Sequence, residues 1–125
     1  MEPTDRRYHE EHEWIRIDGK QATLGISNFA QDALGDIVFI DMPKIGTTVS
    51  AGQQIGEVES TKTTSSIYTP VSGKILDINT ELKDHPEVVN TDPYGKGWMA
   101  VIDLSDPSQV DGLMTAEQYE AFLKK

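Results

Sequence analysis

Apolar and polar positions alternate in short runs along most of this chain, and the runs are separated by turn-forming residues. Trp14-Ile15-Arg16-Ile17 and Gln21-Ala22-Thr23-Leu24-Gly25-Ile26 flank Asp18-Gly19-Lys20, a pattern that predicts a β-hairpin. Ile37 to Ile40 reads as an apolar strand stopped at Pro43. Ser50 to Gln53 reads as a turn, Ile55 to Ser60 as a strand, and Ser65 to Thr69 as its returning partner. Val71-Ser72-Gly73-Lys74 predicts another turn, with Gly73 there for its backbone freedom, and Ile75 to Ile78 and Trp98 to Leu104 predict the last strands. Ser27 is placed to cap a short helix over Asn28 to Leu34 that Gly35 closes. At the C-terminus Thr115-Ala116-Glu117-Gln118 forms a capping box, with Met114 and Tyr119 as a hydrophobic staple. Tyr119, Phe122 and Leu123 then share one helical face for docking on a sheet, and Lys124 and Lys125 suit the negative end of the helix dipole. The expected class is mostly β, with short helices and a C-terminal helix.

A chain of 125 residues accommodates one domain, here expected over residues 1–125 with its core at about 8–123. Its formal charge of −10 repels phosphate backbones and favours partners with basic docking surfaces. Nucleic acid is therefore not an expected partner. Nor is a membrane, since no apolar run reaches spanning length. The segment Met1 to Arg7 resembles neither a secretory leader nor a transit peptide, so a cytoplasmic location is expected. With no cysteine, disulfides, thiolate metal sites and cysteine nucleophiles are excluded. Any sulfur redox chemistry must arrive on a cofactor.

Lys62 is the only basic residue between Lys44 and Lys74, and it falls in the polar turn between two strand-like runs. A lysine at such a tip projects from an ordered backbone into solvent, which is the geometry of an acceptor that an enzyme must reach. A lysine ammonium titrates near ~10.4, so only about one in a few thousand is a free nucleophile at neutral pH. The reactivity has to come from a ligase that supplies an activated acyl group. Other candidates are weak. His9-Glu10-Glu11-His12 places its histidines three apart beside a predicted strand, whereas a zinc-protease helix needs about four. His85 precedes Pro86 and has no evident partner, and no metal is expected. Trp14, Trp98, Phe39 and Tyr94 read as core or turn packing.

Glu59-Ser60-Thr61-Lys62, followed by Ile67-Tyr68-Thr69-Pro70-Val71-Ser72-Gly73, resembles the lipoyl-lysine hairpin of the glycine cleavage H-protein family. The blocks His12-Glu13-Trp14, Gly25 to Gln31, Leu34 to Phe39 and Val89 to Trp98 follow that family's order. The resemblance implies a lipoyl/biotinyl-type flattened barrel, a β-sandwich of two antiparallel sheets. It also implies a non-catalytic carrier with lipoate in amide linkage to Lys62, and recognition of Glu59 and Gly73 by a lipoate ligase or lipoyl transferase. Glu13 becomes the candidate carboxylate that holds the amine of a loaded arm in a surface cleft, against the plainer reading of a surface carboxylate. Implied partners are a pyridoxal-phosphate glycine decarboxylase, a tetrahydrofolate-dependent aminomethyltransferase and dihydrolipoyl dehydrogenase, between which the arm would shuttle an aminomethyl group.

Thr61, Thr63, Thr64 and Ser66 depart from that pattern, which usually has Val before the lysine, Ala after it and often an Asp shortly before the position of Ile67. Similar carriers of sulfur intermediates, working with heterodisulfide-reductase-like complexes, are the alternative. An unmodified interaction module is the alternative from another class.

Overall fold

The computed structural model describes residues 3–124. Alternation decides which way each strand faces. In Gln54–Ser60, Ile55, Val58 and Ser60 are buried while Glu57 and Glu59 are exposed. The chain forms β1 (Arg7–Tyr8), β2 (Glu13–Asp18), β3 (Gln21–Ile26), β4 (Ile37–Asp41), β5 (Thr48–Val49), β6 (Gln54–Ser60), β7 (Thr64–Tyr68), β8 (Gly73–Ile78) and β9 (Ala100–Leu104). Six of these build one antiparallel sheet in the order β1-β2-β3-β9-β8-β5, and a second sheet runs β4-β6-β7. The apolar sides of the two sheets supply one core, including Ile15, Leu24, Ile75 and Ile102 from the first and Ile40, Val58 and Ile67 from the second. The mostly-β architecture of two antiparallel sheets is the one expected.

Helix α1 (Asn28–Leu34) starts where Ser27 Oγ accepts the Ala30 N–H and ends at Gly35, whose φ of +82° is open to a residue without a Cβ. The last helix carries the full capping box between Thr115 and Gln118, and Tyr119 lies buried against Tyr8 and Trp14 as a second apolar cluster. The expected dipole partner Lys125 lies outside the described residues. The two-residue strands β1 and β5 have no counterpart in the sequence reading, nor do α2 (Glu81–Asp84), α3 (Val88–Thr91) and a 3-10 turn at Pro107–Gly112. The C-terminal helix Ala116–Leu123 is therefore α4.

Two expectations are corrected. Gly73 is not a turn glycine. It is buried in β8, and its φ is not among the positive ones. A Cβ there would meet the carbonyl oxygen of Asp103 on β9 and the side chain of Ile102, so the position is closed by steric contact, not by conformation. Phe39 is not core packing. The pairing of β4 with β6 shifts between Ile37 and Phe39, which makes Val38 the extra residue of a bulge. The bulge turns both side chains outward, leaving Val38 50% and Phe39 53% exposed.

Candidate functional site

Lys62 sits in the three-residue tip between β6 and β7, exposed as expected. Ser60 makes the tip tight: its Oγ accepts the N–H groups of both Lys62 (3.1 Å) and Thr63 (3.2 Å). The Ser60 N–H closes the turn on the Thr63 carbonyl at 2.8 Å. The tip is also tied to the body of the protein, because the Thr61 N–H donates to the Asp36 carbonyl at 3.0 Å. A hairpin held at both its mouth and its tip loses little further freedom when an enzyme grips it.

The lysine stem lies over Gly35. A Cβ on Gly35 would come 3.3 Å from Cε and 3.6 Å from Nζ of Lys62, so the absence of a side chain there gives the stem its seat. Among the described residues the ammonium has no ion-pair partner. The amine is thus positioned by packing and left chemically uncommitted, which suits an acyl acceptor.

Asn90 fixes that seat, and the sequence reading gave it no role. Its amide nitrogen donates to the Gly35 carbonyl and to Gln31 Oε1, each at 2.9 Å, while its Oδ1 accepts the Ile37 N–H at 3.0 Å. One side chain therefore joins the end of α1 to the start of β4, directly beneath the lysine stem. An amide side chain directly after the apolar pair Val88-Val89 was the available signal.

Glu59 is exposed on the outward side of β6, in register with Phe39 on β4 and Thr64 on β7. Gly73 is buried in the six-stranded sheet, whereas the Lys62 hairpin belongs to the other.

Glu13 is no ordinary surface carboxylate, being only 1% exposed. It shares the inward side of β2 with Ile15 and faces β7, where its Oε2 accepts the Tyr68 N–H at 3.2 Å. His9 Nδ1 lies 2.9 Å from its other oxygen. Burial raises the Glu13 carboxyl above the ordinary range, while donating a hydrogen bond to the Glu13 carboxylate raises His9. The pair therefore binds a proton more tightly in the fold than either residue does in the open chain. His12 is held differently. It takes a left-handed backbone at φ +75°, and its Nδ1 pairs with the Tyr119 hydroxyl at 2.7 Å. Burial lowers its imidazole. Thus His9 and His12 diverge to separate partners, and among the described residues no group of three or more acidic or histidine side chains is placed to hold a metal. No helix among them is long and apolar enough to cross a membrane.

Comparison with known proteins points to one family. The family model for the glycine cleavage H-protein matches residues 6–125. The chain belongs to that family. It is 50% identical over 123 residues to a glycine cleavage system H protein of a Geobacillus species, covering 98% of this chain and 97% of the relative. A Myxococcus xanthus protein of the same name is 49% identical over 122 residues, covering 98% and 95%. The crystal structure of a glycine cleavage system H protein from Mycobacterium marinum superposes with a TM-score of 0.90 at 43% identity, covering 98% of this chain and 99% of that one. The two antiparallel sheets, short helices and C-terminal helix are thus the family's lipoyl-type sandwich.

Proposed function

We propose that Lys62 carries lipoate in amide linkage and that the chain serves the glycine cleavage system as its non-catalytic carrier, moving an aminomethyl group between the decarboxylase and the aminomethyltransferase. The observation that supports this most is the tethered hairpin tip, with an unpaired lysine seated over Gly35, in a chain that matches the family over nearly its full length. When bound, lipoate supplies the dithiol chemistry that a cysteine-free chain lacks. The residues supply the rest. Ser60 and Asp36 hold the tip, Gly35 and Asn90 hold the stem, and Glu59 marks the hairpin for the acylating enzyme.

Glu13 is the residue we assign to the amine of a loaded arm. β7 joins the two sites: from Thr64 to Tyr68 it advances about 13 Å, the reach over which Lys62 and Glu13 would have to cooperate. Its buried carboxylate offers an ammonium a strong partner out of bulk water. The cargo amine would take the place of His9 on Oε1 while the Tyr68 N–H kept Oε2 oriented.

The test is glycine–bicarbonate exchange with a glycine decarboxylase. Lipoylated protein is expected to support exchange and Lys62→Arg to support none, because a guanidinium is not an acyl acceptor. Glu13→Gln keeps an acceptor for Tyr68 but loses the charge, and it is expected to lower exchange at least tenfold. Full lipoylation without exchange, against a decarboxylase that accepts other H proteins, would overturn the pathway and favour the carrier of sulfur intermediates. Unchanged exchange by Glu13→Gln would overturn the role of Glu13 alone.

A further inference from the structure

The bulge in β4 presents two consecutive large apolar residues to solvent beside the lysine hairpin, and the described residues leave about half of each uncovered. Val38 and Phe39 are about half exposed, in the strand that forms one edge of the three-stranded sheet. A bulge that merely ended pairing would not need two such side chains, and adjacent exposed apolar residues of this size mark contact surfaces. Phe39 also forms one wall of a crevice of about 230 Å³ between β4 and α2, lined by Met42, Ile78 and Leu82. The charge on the hairpin side of the bulge is acidic, with Asp36 before it, Asp41 and Glu57 in register across β4 and β6, and Glu59 opposite Phe39, while Lys83 stands on the far wall of the crevice.

We propose that this face, with Val38 and Phe39 at its centre and the crevice beside it, is the docking surface for the enzyme that acylates Lys62. The partner presents an apolar anchor to the crevice and a basic rim to Asp41, Glu57 and Glu59. The inference rests on the proposed acylation of Lys62 and adds where the enzyme must sit.

Area and the position of the reacting atom choose this occupant. A stable interface covers roughly 800 Å² per partner, a disc of about 16 Å radius. The acylating enzyme must centre that disc on Nζ, since the new bond forms there. Phe39 lies one strand spacing, about 5 Å, from Glu59, and Glu59 lies roughly 10 Å along the chain from Lys62. The bulge is therefore inside the footprint. Client enzymes act at the far end of an acyl arm and carry no such constraint. In the step itself the free amine attacks the carbonyl of an acyl-adenylate. The amide C–N bond forms, the C–O bond to the adenylate phosphate breaks, the surplus amine proton passes to solvent, and no electrons are transferred.

The experiment uses the full unlipoylated chain with a lipoate ligase, lipoate and ATP, read by intact mass over a range of protein concentrations. Val38→Ser and Phe39→Ser should each raise KM for the protein about tenfold and leave kcat within about twofold. Ile17→Ser, an exposed apolar change in the other sheet, should leave both parameters unchanged. Both hairpin-side variants should melt like the wild type. KM values within twofold of wild type overturn the docking surface alone. No acylation of the wild-type chain overturns the carrier reading as well. Normal acylation combined with reduced exchange by the lipoylated variants assigns the face to a client enzyme and overturns this proposal.

Discussion

His9 and Glu13 show what a single buried contact asks of pH. The folded pair binds protons more tightly than the open chain, so the stability contributed by His9 is complete below its ordinary value of 6.5 and fades as pH rises through its higher folded value. His12 runs the other way: burial favours its neutral form, so its contribution is present above 6.5 and lost as pH falls through its lower folded value. Wild-type stability alone therefore mixes two opposed terms, and the informative quantity is the difference on substitution. His9→Asn is expected to cost about 1.5–3 kcal/mol at pH 6, the range for a hydrogen bond to a charged group, and less at pH 8. Urea unfolding at the two pH values checks this, and a larger loss at pH 8 would contradict it. Asn90→Ala removes three hydrogen bonds at once and is expected to cost about 2 kcal/mol while loosening the ground under Lys62. Gly73→Ala should be worse than a surface change by several-fold, because its Cβ meets backbone that a neighbouring strand cannot move. A melt matching wild type would refute that steric account.

At the scale of elements, the strands and caps were legible because each writes its own signal. Alternation announced β2, β3 and β6, and the Ser27 and Thr115 caps and the Thr115–Gln118 box are all present where the sequence places them. The four-residue helices α2 and α3 were not legible, since one turn on either side of Pro86 is too short to show a period. The β4 bulge was also hidden. A bulge is a property of two paired strands, and the run Ile37 to Ile40 alone gives no sign that Val38 lacks a partner opposite. Charged residues are rarely buried, so the inward position of Glu13 ran against composition, although its shared parity with Ile15 was a usable hint. For the hairpin, Ser60→Ala should free the Lys62 and Thr63 amides and cost about 1 kcal/mol. Hydrogen exchange at those two amides should rise sharply while the β6 amides around Val58 stay protected. Unchanged exchange at the tip would mean that the Thr61 bond to Asp36 holds it alone.

Over the whole molecule, the two sheets mount the Lys62 hairpin, whose tip is tied to the body through Asp36 and whose lysine stem rests on Gly35. Lys62 is exposed, and the bulged edge of β4 lies beside its hairpin. Lys62 itself was legible because it stands alone between Lys44 and Lys74 in a polar turn. Its setting was not, because Gly35, Asp36 and Asn90 come to it from other parts of the chain through tertiary contacts. The account stands or falls on what that amine carries. Peptide mass spectrometry of the protein from lipoate-replete native cells should show a single lipoyl group on the Lys62 peptide and every other lysine unmodified. A Lys62 peptide found unmodified in those cells would contradict it.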